Sequence, residues 1–259
     1  MSSPASVAPI LMALDTATDR IHAALSAGAT VHALDLPGGA LASASLLPAL
    51  QGLLSQAGYA WADVDAIAFG RGPGAFTGLR TTCSVTQGLA LALGCPVIAI
   101  DTLMAVAEHA RLAAPDALAA GEVVWVLQDA RMDELYVGAF RWDGAHWQVE
   151  QAAQLWSLDE PLHRWAPDGL MQAGVRWAGN ALRAYPDKLA VLHPAQWVAH
   201  GEPAVPGGQA LAELAQRAWQ RGDTLDAALA LPLYVRDKVA QTTAERQAAK
   251  ATPQDATRA

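Results

Sequence analysis

The glycine-rich stretch AFGRGPGAFTGLR (68–80) is the part of the sequence whose residue types best suit anion binding. It lies between a predicted strand and a predicted helix, and the first amides of a helix have no intrahelical partner. The residues that could contact an anion there are Gly72, Gly74, Thr77 (as a helix cap) and Arg80. The stretch has neither the Gly-Lys-Ser/Thr ending of a Walker A loop nor G-x-G-x-x-G spacing. The residues alone therefore favour a structural turn, in which Gly78 lets the helix approach the sheet closely.

Metal binding and nucleophilic catalysis have little support in the sequence. No two of the seven histidines are spaced three or four residues apart, as a helical metal pair requires. No Ser-His-Asp order stands out, and GAFTG is not the G-x-S-x-G turn that presents a nucleophilic serine. Cys83 and Cys95 show no pairing pattern, which is typical of small core residues in a reduced protein. We expect neither a catalytic residue nor a metal ligand in this chain.

A repeated order of three predicted strands organises the chain. Apolar runs predict strands at 8–15 and 122–129. After a turn, each is followed by two further predicted strands, at 20–28 and 30–36 and at 134–141 and 146–155. Asp15 and Asp129 each end the first strand of a set, and Asp19 and Asp133 each follow four residues later. This spaced self-similarity indicates a duplicated unit.

Helices and further strands follow each set. The first set precedes predicted helices at 45–57, 78–94 and 102–114 and strands at 63–70 and 95–101, and the second precedes a helix at 208–222. The expected fold is of the α/β class, a duplicated ribonuclease-H-like (actin-like ATPase) fold with two βββαβα-type lobes. We place the N-terminal lobe at 1–114, the C-terminal lobe at 115–225, and a C-terminal segment with a polar tail at 226–259.

The charge balance limits the classes of partner. The 259 residues carry a formal net charge of −8, and only 16% of them are charged. Binding a nucleic-acid backbone requires clustered lysine and arginine, so this chain is expected to meet RNA only through a partner. The N-terminus has no basic region before its apolar run, so no signal peptide is predicted. No apolar stretch reaches membrane-spanning length, and we expect a cytoplasmic protein without membrane contact.

The first turn of the repeat bears on nucleotide binding, because folds of this kind hold a nucleotide between the lobes with hairpin turns. In LDTATD (14–19), Ala17 stands where a glycine is expected, and no lysine follows. An added Cβ limits how closely the backbone can approach a phosphate, so the turn favours a weakened or absent nucleotide role. An active actin-like ATPase or small-molecule kinase stays open as the alternative function, because the duplicated pattern fits it.

Four segments resemble the TsaB (YeaZ) family, the bacterial tRNA threonylcarbamoyladenosine biosynthesis proteins. They are ILMALDTATD (10–19), AFGRGPGAFTGLRTTCSVTQGLALALGCPVIAIDTLMAVA (68–107), DARMDELYVGAF (129–140) and PLYVRDKVA (232–240). Together they cover most of the chain in the order that the family has them, and the coverage is weakest at 145–225.

The resemblance implies a protein that acts by docking. TsaB proteins resemble TsaD, the enzyme that transfers the threonylcarbamoyl group to N6 of adenosine 37 in tRNAs reading ANN codons, without catalysing the transfer. They pair with TsaD and a TsaE-type ATPase, form homodimers when alone, and meet tRNA only through the complex. The two metal-binding histidines of TsaD fall on Thr102 and Val106 here, and a valine cannot ligate a metal. No resident cofactor is implied, although a nucleotide can bind near the partner junction.

The resemblance also implies where the partner binds. In the family, the helices corresponding to 45–57 and 78–94 pack against the equivalent pair of TsaD. The interface residues predicted in this way are Leu46, Leu50, Leu53, Leu54, Arg80, Thr82, Ser84, Gly88 and Leu89. An exposed apolar patch of this kind would cause homodimerisation when the partner is absent. Many members carry an acidic residue and a histidine just before the first of these helices, where this chain has Leu41 and Ala42.

Overall fold

Two β-sheets with helices packed on them form the computed structural model, which describes residues 8–165, 175–190, 192, 198 and 204–236. The strands are β1 Ile10–Asp15, β2 Arg20–Ala27, β3 Thr30–Pro37, β4 Ala66–Gly70, β5 Val97–Ile100, β6 Val123–Asp129, β7 Glu134–Trp142, β8 Trp147–Ser157 and β9 Val175–Ala178. The first sheet has the order β3-β2-β1-β4-β5, and the second has the order β8-β7-β6-β9.

Each sheet is built on the same three-stranded unit. In the first sheet β1, β2 and β3 are antiparallel neighbours, and β4 pairs with β1 in parallel. In the second sheet β6, β7 and β8 are antiparallel neighbours, and β9 pairs with β6 in parallel. The two sheets therefore share both strand order and strand direction. This confirms the predicted duplicated ribonuclease-H-like fold.

The helices follow the predicted order with shifted beginnings. They are α1 Ala42–Ala57, α2 Phe76–Leu93, α3 Thr102–Ala113, α4 Glu160–Trp165, α5 Ala181–Ala184 and α6 Gly208–Arg221. Neither α1 nor α2 has a side-chain cap, because Leu41 and Ala75 occupy their N-cap positions. The expectation that Thr77 caps α2 was wrong, since Thr77 lies inside the first turn.

The two faces of the first sheet are covered by different helices. One face packs against α1 and α2, through a core that includes Leu14, Ile21 and Phe69. The other face packs against α3 and α6, and α3 also contacts β6 and β7 of the second sheet. Helix α6 comes from the stretch predicted as the C-terminal lobe, yet it packs on β1, β2 and β3. Packing thus crosses the predicted sequence boundaries of the lobes, which remain a prediction.

A buried ionic cluster links α3 to α6 and to β8. The carboxylate of Glu108, on α3, is fully buried and accepts hydrogen bonds from Arg111, from Arg217 on α6 and from the Trp147 indole. Burial acts to raise the pKa of Glu108, but the hydrogen bond from Arg111 and the charge of Arg217 outweigh it, so this pKa lies below its ordinary value. The carboxylate is therefore charged and fully paired in the folded chain.

Candidate functional site

A cavity of about 390 Å³ lies between the two predicted hairpin turns. The turn at 17–19, after β1, and the glycine-rich loop at 73–76, after β4, line one side of it. The turn at 129–131, after β6, and Tyr136 on β7 line the other side, and Arg236 closes part of the rim. The cavity therefore lies between the two hairpin turns, where the sequence places a nucleotide site if there is one.

Asp15, at the end of β1, lies under the loop that forms this cavity. Its Oδ1 accepts a 2.6 Å hydrogen bond from the Ala17 amide, and its Oδ2 accepts one of 2.7 Å from the Thr102 hydroxyl. The Thr102 Oγ1 in turn accepts the Gly72 amide at 3.0 Å. Complete burial raises the pKa of Asp15 to about 6, although the bonds from Ala17 and Thr102 oppose the shift. These four groups thus form one continuous set of hydrogen bonds.

The glycines of the loop permit close contact with the first hairpin. A Cβ at Gly78 would lie 1.8 Å from the Thr16 carbonyl oxygen, and one at Gly74 would lie 2.5 Å from the Ala17 Cβ. A Cβ at Gly70 would lie 1.7 Å from a carboxyl oxygen of Asp15. These distances exclude any side chain without movement of the backbone or of Asp15. They support the structural interpretation of the stretch.

The candidate anion ligands are not brought together as a free site. The Gly72 amide donates to Thr102, and Thr77 is exposed and does not cap α2. Gly74 lines the cavity, whereas Arg80 is turned to an aromatic pair. The Arg80 Nε donates to the Tyr234 hydroxyl at 3.1 Å, and the Tyr234 ring stacks on Phe76 at 4.7 Å. Arg80 therefore serves the contact between α2 and the chain near position 234.

The second hairpin turn has a strained backbone. Arg131, Met132 and Asp133 have φ angles of 65°, 59° and 56°, in the left-handed region that side chains other than glycine rarely adopt. The Asp129 Oδ1 accepts the Arg131 amide at 2.7 Å, and Arg236 donates to the carbonyl oxygen of Ala130. Arg236 also pairs with Glu134. These contacts hold the turn in an unfavourable conformation at the rim of the cavity.

The two positions at which the resemblance predicts the metal-binding histidines of TsaD are internal. Thr102 is buried with its hydroxyl bonded to Asp15, and Val106 is fully buried in the core between the sheets. No group of three or more histidine, cysteine, aspartate or glutamate side chains in the described part of the chain is arranged to hold a metal. None of the helices in the described ranges is long and apolar enough to cross a membrane.

Five of the predicted interface residues are in the chain's own core. Leu46, Leu50, Leu53, Leu54 and Thr82 are each no more than 2% exposed. The four leucines form the apolar stripe of α1 that packs on the sheet, and the Thr82 hydroxyl bonds to Thr16. Their prediction as partner contacts was wrong, because an apolar helical stripe reports burial without identifying what buries it.

The outer faces of α1 and α2 carry other residues. Of the predicted set, Arg80, Ser84 and Gly88 are exposed, and Leu89 is half-buried against the core. The sequence interpretation missed Leu47 and Leu91, which are among the exposed large apolar side chains. Leu47 lies beside the buried stripe of α1, so it could be recognised as an exposed residue once that stripe is assigned to the core. Leu41 is exposed, whereas Ala42 is buried at the first position of α1.

Comparisons with known proteins agree with this arrangement. The family model described as "TsaD: tRNA N6-adenosine threonylcarbamoyltransferase" matches residues 41–244. The Escherichia coli tRNA threonylcarbamoyladenosine biosynthesis protein TsaB is 31% identical over 237 residues, which cover 89% of this chain and 96% of that protein. A solved structure of YeaZ from Pseudomonas aeruginosa is 32% identical, covers 87% of this chain and 99% of its own, and superposes with a TM-score of 0.72.

A shorter match reaches a transferase itself. The tRNA N6-adenosine threonylcarbamoyltransferase of Solidesulfovibrio magneticus is 47% identical over 58 residues, which are 22% of this chain and 16% of that enzyme. The matches that extend over nearly the whole length are to TsaB and YeaZ proteins. On the strength of these matches and of the duplicated fold, the chain belongs to the TsaB (YeaZ) branch of the TsaD family.

Proposed function

We propose that the chain is a non-catalytic partner of a TsaD-type threonylcarbamoyltransferase. In this role it supports transfer of the threonylcarbamoyl group to N6 of adenosine 37 in tRNAs that read ANN codons. The proposal depends mainly on the contacts and burial of the side chains at positions 102 and 106. The Thr102 hydroxyl is engaged between Asp15 and Gly72, and the Val106 side chain is enclosed in the core. Neither side chain can ligate a metal in this arrangement.

Mid-helix glycines support a partner-binding surface. Gly52 on α1 and Gly88 on α2 are exposed, and a Cβ built on either would meet no atom within 4 Å. The fold itself therefore does not require glycine at these positions. Each glycine destabilises its helix by about 1 kcal/mol relative to alanine. Close approach of a partner's helix to the outer faces of α1 and α2 would explain why both positions are glycine.

The electrostatics favour an indirect role in tRNA recognition. The net charge of −8 opposes independent binding to a polyanion, so the proposed partners supply the cationic surface. These partners are a TsaD-type transferase subunit and a TsaE-like ATPase. In their absence the same apolar surface would pair two copies of this chain. The proposed location is the cytoplasm, where tRNA modification takes place.

The proposal is tested by reconstitution with the purified transferase subunit, the ATPase, tRNA and the threonylcarbamoyl donor. Omitting this chain should abolish formation of the modified nucleoside, and the chain alone should modify no tRNA. The Gly88→Arg variant should keep the fold, because space is open there, but lose pairing and activity. The Gln209→Arg variant, on the exposed side of α6, is the matched control and should retain both. Full modification without this chain would overturn the proposal.

An active ATPase or small-molecule kinase is the second candidate, and the interlobe cavity is the observation that favours it. Against it, the Ala17 methyl group faces the glycine loop at the position where a phosphate-binding hairpin needs close backbone approach. Calorimetric titration of the isolated chain with ATP and Mg²⁺ separates the candidates. Saturable heat with rapid ATP hydrolysis would favour the enzyme, and the partner role predicts neither.

A further inference from the structure

A segment close to the end of the described chain lies beside α2. Residues 225–234, here named the C-terminal strip, begin at the end of α2, where Leu225 and Val97 exchange backbone hydrogen bonds of 2.8 and 2.9 Å. The strip ends at the beginning of α2, where Tyr234 stacks on Phe76. Helix α1 packs over β2 and β3, whereas the strip adjoins β5 at the opposite edge of the sheet. Helix α2 therefore lies between α1 and the strip.

The C-terminal strip has one buried side and one exposed apolar side. Ala227 and Ala230 are buried in the same core as α1 and α2, which fixes the strip to this layer of the fold. Leu229 and Leu231 face outward, with 54% and 59% of each residue exposed. Exposed leucines on a segment that is already anchored by alanines contribute little to the chain's own packing. They extend the apolar outer surface of α2, where Leu91 is also exposed.

This three-element surface is nearly free of charge. Charged residues make up 16% of the whole chain, yet α1 contains none. The only charged residues in the other two elements are Arg80 on α2 and Asp226 in the strip. Depletion of charge with exposed apolar residues marks the central part of a protein–protein interface. The occupant that fits is a protein with an apolar face of similar length and an acidic group opposite Arg80.

The area needed for stable pairing also favours inclusion of the strip. An 18-residue helix is about 27 Å long, and two neighbouring helices are about 20 Å wide. Their outer faces together offer roughly 500 Å², whereas a stable interface buries roughly 800 Å² on each partner. A strip of similar length beside α2 supplies much of the difference.

We propose that the C-terminal strip is the third element of the docking surface and contacts the same transferase subunit as α1 and α2. The inference rests on the proposed function, because it assumes that this subunit binds the outer faces of the two helices. It adds that the partner buries Leu229 and Leu231. Arg80, which donates a hydrogen bond to Tyr234, lies where α2 and the C-terminal strip meet.

The test measures affinity for the purified TsaD-type subunit by calorimetry. The double variant Leu229→Glu, Leu231→Glu should weaken binding at least tenfold, with an unchanged circular dichroism spectrum. Val149→Glu, an equally exposed apolar residue on β8 away from this surface, is the matched control and should bind as the unmodified chain does. In the unmodified chain, the backbone amides of 225–234 should exchange hydrogen more slowly in the complex than in the free protein, which tests the contact without any substitution.

The outcomes separate the two proposals. If Gly88→Arg abolishes binding but the double variant binds normally and exchange at 225–234 is unchanged, the strip lies outside the interface and this inference is overturned, while the proposed function stands. If Gly88→Arg and the double variant both bind normally, the interface lies on another surface and this inference is overturned. The proposed function is overturned if the unmodified chain itself does not bind the subunit.

Discussion

The Thr102 hydroxyl donates a 2.7 Å hydrogen bond to the buried carboxyl group of Asp15, and this bond links the start of α3 to the end of β1. The resemblance places Thr102 where a metal-binding histidine of TsaD is expected. Here the residue at that position stabilises the junction of strand, loop and helix. The same junction gives the first prediction.

Asp15 makes stability depend on pH. Its pKa is about 6 in the folded chain against an ordinary value of 3.8, so its favourable contribution is complete below pH 3.8 and is lost as the pH rises through 6. The stability of Asp15→Asn, which stays neutral, should rise relative to that of the unmodified chain by up to about 3 kcal/mol as the pH increases from 4 to 8. Urea unfolding at several pH values measures the difference.

An exposed carboxyl group provides the control for this experiment. Asp223→Asn, on the surface beside Arg221, should show no such pH-dependent difference. The comparison must be made between variants at each pH, because burial lowers the pKa of His22 to about 4 and gives the whole chain an opposite trend at low pH. A difference for Asp15→Asn that is constant from pH 4 to pH 8 would contradict the assignment.

Two glycines of α2 should respond oppositely to the same substitution. Gly78→Ala places a methyl group 1.8 Å from the Thr16 carbonyl oxygen and should lower the free energy of unfolding by about 3 kcal/mol. Gly88→Ala meets open space and should raise it by up to about 1 kcal/mol. Chemical denaturation of the two variants checks both values. Equal effects at the two positions would show that the hairpin and α2 are not in close contact.

The buried carboxylate of Glu108 should be among the most sensitive positions for stability. Glu108→Gln leaves Arg111 without its counter-charge and Arg217 with only the partly exposed Glu213, and it should cost about 3 kcal/mol. Since the pKa of Glu108 lies below its ordinary value, this stabilisation is present at neutral pH and is lost as the pH falls through the folded-state pKa. Glu213→Gln removes the partly exposed pair with Arg217 and should cost less than about 1 kcal/mol. If thermal unfolding showed that Glu213→Gln destabilises the chain more than Glu108→Gln does, the stabilising role of the buried carboxylate would be refuted.

Arg236 should control the local opening of the strained turn. Its guanidinium donates to the Ala130 carbonyl oxygen at 2.9 Å and pairs with Glu134. Without these contacts the left-handed residues 131–133 can relax, so Arg236→Gln should increase amide hydrogen exchange at 130–134. Arg221→Gln, which disrupts only an exposed pair with Asp223, is the control. Unchanged exchange at the turn in Arg236→Gln would mean that other contacts hold it.

The sequence predicts the fold well because the evidence for it is local. The first strand of each unit is an apolar run, and the repeated order of three strands indicates duplication. The structural use of the glycine loop was also foreseen, since Gly78 follows a turn and begins a helix. The contacts of Tyr234 and Arg236 could not be foreseen, because their partners lie 154 and 102 residues away along the chain.

The errors at α1 have a physical cause. Leu46, Leu50, Leu53 and Leu54 have the spacing of a buried stripe, and either the chain's own sheet or a partner could bury it. Only the position of the helix on β2 and β3 decides between them. The exposed Leu47 could be recognised only once that stripe had been assigned to the core.

The packing of α6 on the first sheet has a consequence for biosynthesis. A nascent chain that has emerged only as far as α3 presents β1 and β2 with one face uncovered, because Gly208–Arg221 has not yet been translated. That face of the first sheet can be covered only after Gly208–Arg221 has left the ribosome. Until then the nascent polypeptide exposes apolar strand surface of the kind that chaperones bind.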